Sequence, residues 1–186
     1  MGGDLNGVDQ YLEYLQSFGV TTIYINPIFD SASNHGYDTQ DYYKVDPYFG
    51  TQKDWENLVK HARQRGMRII LDSVFNHMSS DSPIFDRYRH YPAAGACESP
   101  SSAYRNWFLF RPPGAAEPSP CAPSAGGNDT SYNGWLGFDS LPVLTKDNPR
   151  VQEYFIKGAD CVARRWLLNG AAASGATVQL RGTIPS

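Results

Sequence analysis

Asp72, Asn76 and His77 are the residues of this sequence whose types and spacing could do chemistry. They follow at once on Met67-Arg68-Ile69-Ile70-Leu71, an apolar run that reads as a strand. In parallel α/β barrels the reacting groups sit at the C-terminal ends of strands, where side chains from several strands converge on one pocket. A carboxylate, an amide and an imidazole in that place could line a polar substrate wall or hold a metal. A bland reading stands beside this one, with the Asp a cap and the His a surface residue. As zinc ligands the set is incomplete, since no cysteine or second histidine lies at zinc spacing nearby. His61 and His90 read as ordinary helix and loop residues.

The elements that must position this group can be read on both sides of it. Val8, Tyr11, Leu12, Leu15 and Phe18 recur at helical spacing, and Gly19 follows as a C-cap, so residues 8–18 are predicted helical. Val20-Thr21-Thr22-Ile23-Tyr24-Ile25, β-branched and aromatic and closed by Asn26-Pro27, predicts a buried strand. Residues 30–50 are rich in Asp, Ser, Asn, Gly and Tyr and read as a long loop of the kind that carries function. Thr51-Gln52-Lys53-Asp54 resembles a capping box, and Trp55, Leu58, Val59 and Ala62 continue a second helix to Gly66. Helix, strand, helix, strand implies parallel strands joined by right-handed crossovers. From residue 78 the grammar stops. Ala, Gly, Pro and Ser dominate residues 93–127, so 78–147 reads as one large excursion. Asn148-Pro149 then opens a third helix whose face is Val151, Phe155, Val162 and Trp166 and whose end is Asn169-Gly170. Of the three cysteines, Cys97 and Cys121 bracket a loop-like stretch and could form a disulfide; three reduced thiols are the alternative, with Cys161 a small core residue.

Taken together, these segments resemble the alpha-amylase family of glycoside hydrolases, in particular its pullulan-degrading members. Asp72-Ser73-Val74-Phe75-Asn76-His77 is similar to the family's Asp-x-x-x-Asn-His motif at the end of the third barrel strand. Asn26-Pro27-Ile28-Phe29, His35-Gly36-Tyr37-Asp38-Thr39-Gln40-Asp41-Tyr42 and Val45-Asp46-Pro47-Tyr48-Phe49-Gly50-Thr51 agree in order and spacing. Gly2 to Gly7 resembles the start of the first barrel helix, and Gly137-Phe138-Asp139-Ser140-Leu141-Pro142-Val143-Leu144 the segment near the end of the family's domain B. The resemblance implies an α/β fold, part of a (β/α)8 TIM barrel holding strands 2 and 3 with helices 1 to 3. Residues 1–77 would be the N-terminal part of the barrel, 78–147 a domain-B-like insertion, 148–170 the third barrel helix and 171–186 a divergent tail.

It also implies roles. The residue matching Tyr37 stacks under the sugar whose bond is cut, the one matching His77 donates a hydrogen bond to that sugar, and Asp72 holds neighbouring active-site side chains. Asp38 is a further residue of the sugar pocket. Asn76 resembles a position that in many members binds a structural calcium through its amide oxygen. A retaining glycosidase needs a carboxylate nucleophile and a carboxylic acid about 5–5.5 Å apart. In the family these and a third carboxylate come from later strands, and after Asn169-Gly170 a strand ending in Arg-x-Asp is expected. This sequence has no Asp or Glu after Asp160, so none of the three has a match.

Composition narrows the class. At 186 residues, 41% hydrophobic and 19% charged, with a formal charge of −3, the chain shows no basic stripe for a nucleic acid and no apolar stretch near the ~18 residues of a membrane span. Met1 to Asp4 lacks the basic start and apolar run of a secretory signal, although starch-degrading members of the family commonly work outside the cell. Three readings follow: part of a retaining alpha-glucan hydrolase acting on starch, pullulan or maltooligosaccharides; a non-catalytic carbohydrate-binding or regulatory relative; and a metal-dependent hydrolase using Asp72 and His77.

Overall fold

The computed structural model describes residues 3–111, 121, 131–168 and 177–180. The chain opens on α1 (Leu5–Gln10) and α2 (Leu12–Ser17), two short helices where the pattern predicts one over 8–18. The start moves forward because Asp4 caps it, accepting from the Gly7 N–H at 2.6 Å. The break falls at Tyr11, whose N–H is shared between the carbonyls of Gly7 and Val8. Gly19 at φ 80° ends the second helix as expected.

Strand β1 (Thr22–Ile25) follows, then β2 (Phe29–Ser31) and β3 (Thr39–Val45), an antiparallel pair in the stretch read as a loop. The pairing is irregular, with register shifts on both sides of Asp30, and a strand interrupted in that way leaves no alternating pattern to read. Helix α3 (Gln52–Gln64) carries the predicted capping box in full, and Trp55, Leu58, Val59 and Ala62 are its buried face. Strand β4 (Arg68–Ser73) pairs in parallel with β1, Thr22 opposite Arg68 and Ile25 opposite Leu71.

The third predicted helix is broken. After α4 (Pro149–Gln152), capped by Asn148, the backbone widens into a π-helical turn over Glu153–Lys157 and stops at Gly158, which is extended. A side chain at Gly158 would meet the Glu153 carbonyl oxygen at 2.6 Å, and that carbonyl takes the Gly158 N–H at 2.8 Å. Helix α5 (Val162–Leu168) restarts beyond it. The predicted face survives the break: Val151, Phe155, Val162 and Trp166 are all buried.

A further strand, β5 (Thr177–Leu180), lies parallel to β4, with Ile70 opposite Thr177 and Ser73 opposite Leu180. The sheet is therefore β1-β4-β5, three parallel strands where the sequence pattern alone gives two. Pairing to the open side of β4 supplies what the weak local pattern of the tail does not. Strand β1 is at the edge among the described residues, and its alternation of exposed and half-buried residues departs from the buried strand predicted there.

Between the sheet and the returning helices sits an aromatic core. Trp166 packs on Phe29 and Trp55 with ring centroids 5.0 and 5.8 Å away, and its indole N–H donates to the Tyr42 carbonyl at 2.7 Å. Tyr42 packs in turn on Phe75 and Phe155. In the excursion, Phe85 gathers Phe108, Phe110 and Tyr132 into a second cluster, and a disulfide joins Cys97 to Cys121. Cys161 is a buried free thiol.

Candidate functional site

The site is assembled at the C-terminal end of β4, where Asp72 and His77 are both buried, His77 only 2% exposed. Tyr42, reaching over from β3, ties this segment down: its hydroxyl donates to the Val74 carbonyl and faces the His77 carbonyl at 3.2 Å. Burial pushes that phenol far above its ordinary pKa, so it stays a donor. The excursion returns along the other side. His77 is bridged antiparallel to Val143, Met78 N–H donates to the Pro142 carbonyl at 3.2 Å, and Leu144 N–H to the Asn76 carbonyl at 3.0 Å.

Tyr37 arrives on the turn between β2 and β3. The turn is made by Gly36 at φ 74°, where any side chain would meet the Pro27 carbonyl oxygen at 2.7 Å. Tyr37 stacks on His35, ring centroids 5.7 Å apart, and its hydroxyl points to Asp72 Oδ2 at 3.4 Å. Asp72 Oδ1 is buried with no hydrogen-bond partner among the described residues. Asp38 accepts a hydrogen bond from Ser33.

His77 has a defined tautomer. Its Nε2 is 3.0 Å from the Tyr37 carbonyl oxygen, and since a carbonyl only accepts, Nε2 carries the proton. Nδ1 is then free to accept from the Asn76 amide at 3.3 Å. Burial lowers the imidazole pKa to about 4, outweighing the pull of the Tyr37 carbonyl and of the Asp38 charge, so the ring is neutral near neutral pH. Both ring nitrogens are engaged inside the protein.

Asn76 does not fit a calcium ion. Its amide oxygen, the ligand atom such an ion would use, accepts from the Lys146 ammonium at 3.2 Å. Among the described residues no three His, Cys, Asp or Glu side chains gather where a metal could be held. His61 and His90, read as ordinary, each face a carboxylate: Asp9 at 2.8 Å and Asp81 at 2.7 Å.

The structure thus brings Tyr37, Asp72, Asn76 and His77 together, with Asp38 following Tyr37 in the same turn. Sequence reasoning missed Tyr42, Lys146 and Trp135 as site residues. Trp135 lies on His77 with ring centroids 5.3 Å apart and planes 35° apart. The aromatics flanking the Pro- and Gly-rich stretch were the available signal for it.

Comparison with known proteins decides the family. The alpha-amylase catalytic domain model matches residues 1–175. The chain belongs to the alpha-amylase family. The matched residues are therefore part of that family's (β/α)8 barrel domain. This alpha-amylase-family chain is 42% identical over 178 residues to an amylopullulanase of Thermoanaerobacterium saccharolyticum, covering 89% of the chain and 13% of the relative. Among solved structures it resembles the type III pullulan hydrolase from Thermococcus kodakarensis, at TM-score 0.71 and 38% identity over 91% of the chain and 26% of that protein. A debranching enzyme from Nostoc punctiforme is similar at TM-score 0.72 and 38% identity, over 91% of the chain and 32% of that protein. The chain spans less than a third of the length of each of these alpha-amylase-family relatives that it matches.

Proposed function

We propose that this chain forms one wall of an alpha-glucan site in a glycoside hydrolase acting on pullulan- or starch-type substrates, and that by itself it does not cleave them. The observation that carries the reading is the convergence of Tyr37 and Asp72 beside His77 at the end of β4. An aromatic face suits the apolar side of a glucose ring, and the unpartnered Asp72 oxygen can accept from a sugar hydroxyl or a neighbouring side chain. Asp38 extends the polar edge of the same turn. The barrel strands represented are the second and third, β1 and β4, with β5 in the neighbouring place, and residues 78–147 act as the domain-B-like insertion.

Inactivity follows from the chemistry of glycosidic hydrolysis. Both carboxyl groups of a retaining pair are required, one to attack the anomeric carbon and one to protonate the leaving oxygen. No Asp or Glu follows Asp160, and at the strand end the Tyr37 hydroxyl meets the Asp72 carboxylate. The purified chain is expected to release no reducing sugar from pullulan, soluble starch or maltooligosaccharides. Turnover that survives repurification and disappears in His77→Ala would overturn this and place the catalytic groups within these residues.

A further inference from the structure

His77 sets a problem for sugar recognition at this wall. Its Nε2–H is committed to the Tyr37 carbonyl and its Nδ1 to the Asn76 amide, so a sugar arriving here finds no free donor on the imidazole. What it does find beside His77 is an indole. Trp135 packs against the His77 ring yet remains 41% exposed.

The loop that presents this indole is built tightly. Trp135 N–H donates to the Leu141 carbonyl at 2.9 Å, and Gly134 pairs with Pro142. Leu136 and Gly137 both turn through positive φ, 50° and 84°. Gly134 has no room for a side chain, since an added Cβ would stand 2.2 Å from the Phe138 carbonyl oxygen. A non-glycine residue is sterically disfavoured in the left-handed region, where its Cβ crowds the following carbonyl oxygen. Local strain of this kind persists where the surrounding structure over-determines it, and it clusters at ligand clamps. Leu136 and Phe138 are exposed on either side of the same turn. A large ring fixed in place but left partly open offers an apolar face and an N–H donor together. That pairing matches the C–H face and rim hydroxyls of a pyranose.

We propose that Trp135 is a substrate-positioning residue, its indole face stacking on a glucose ring of the alpha-glucan and so fixing where the chain of sugars crosses the end of β4. The proposal rests on the glucan-binding reading of the site. It is tested by affinity electrophoresis of the full chain in native gels containing pullulan, with Trp135→Ala, Trp135→Phe and Leu136→Ala run beside it. The unaltered chain is retarded. Trp135→Ala raises the apparent dissociation constant about tenfold, as loss of one aromatic stacking contact implies. Trp135→Phe, which keeps a ring face, stays within about threefold, and Leu136→Ala, which removes only an exposed neighbour, within about twofold.

Retardation of the unaltered chain with none lost in Trp135→Ala overturns the role of Trp135 and leaves the glucan site standing. No retardation of the unaltered chain overturns both. Equal loss in the Ala and Phe variants, with circular dichroism unchanged, makes the residue a packing element of the loop and overturns stacking. Oxidation by N-bromosuccinimide, mapped by peptide, covers the case in which Trp135→Ala fails to fold. In the unaltered chain pullulan slows modification of Trp135, and an unchanged rate overturns the proposal.

Discussion

A neutral imidazole is what burial makes of His77, and the consequence is measurable. Its pKa in the folded protein is depressed to about 4 from an ordinary 6.5, so between those values the unfolded chain binds a proton that the folded one does not. The contribution to stability is therefore present above pH 6.5 and is lost as pH falls toward 4. The full effect is on the order of 3 kcal/mol. Denaturant midpoints at several pH values across that window should fall with pH in the unaltered chain and fall less in His77→Gln. Equal slopes would show that His77 is not held neutral. At this scale Asp72, Asn76 and His77 were legible because polar residues end an apolar strand. Tyr37 and Asp38 were legible only through the family's motifs. Tyr42, Lys146 and Trp135 were not, since each acts on partners 32 to 70 residues away or on a ring across the excursion, and no local period encodes such a meeting.

Elements were legible where a cap or a period fixes them locally. Helix α3 carries its own capping box, and Asn148-Pro149 opens α4 as the residues require. The widened turn over Glu153–Lys157 escaped because its apolar face keeps the helical spacing through the break. The β2–β3 pair escaped because its register slips. Gly36, between those strands, is the position where a single methyl tells most. Gly36→Ala places a side chain at φ 74° and against the Pro27 carbonyl, and should lower stability by about 1–2 kcal/mol in chemical denaturation. An unchanged midpoint would mean the turn relaxes freely. In the excursion, the Cys97–Cys121 bond closes the stretch between them. Titration of the unfolded, unreduced protein should find one thiol, Cys161, and three would show the bridge absent.

For the whole molecule, the sheet and its family follow from the order of motifs, whereas its extent does not: β5 forms by pairing along β4, a long-range event that its own short sequence scarcely announces. The outer surface carries a liability of its own. Tyr11, Tyr14 and Phe18 are 62%, 58% and 71% exposed and follow one another in ring contact along α2, Tyr11 edge-on to Tyr14 and Tyr14 tilted on Phe18, while β1 forms an edge of the described sheet. Contiguous apolar surface of this kind binds partners or drives association. The chain should bind an apolar dye and self-associate at micromolar concentration in sedimentation, and Tyr14→Lys with Phe18→Glu should reduce both. A monodisperse chain indifferent to those changes would put the association elsewhere or nowhere. The bond from Lys146 to Asn76 works over the same range, fastening the exit of the excursion to the strand end from which the excursion departs. A bound ion at that junction would come and go with its concentration in the surroundings, and a chelator could strip it. An ammonium tethered to the chain cannot be diluted away or stripped by a chelator, so this junction does not depend on the ion content of its surroundings.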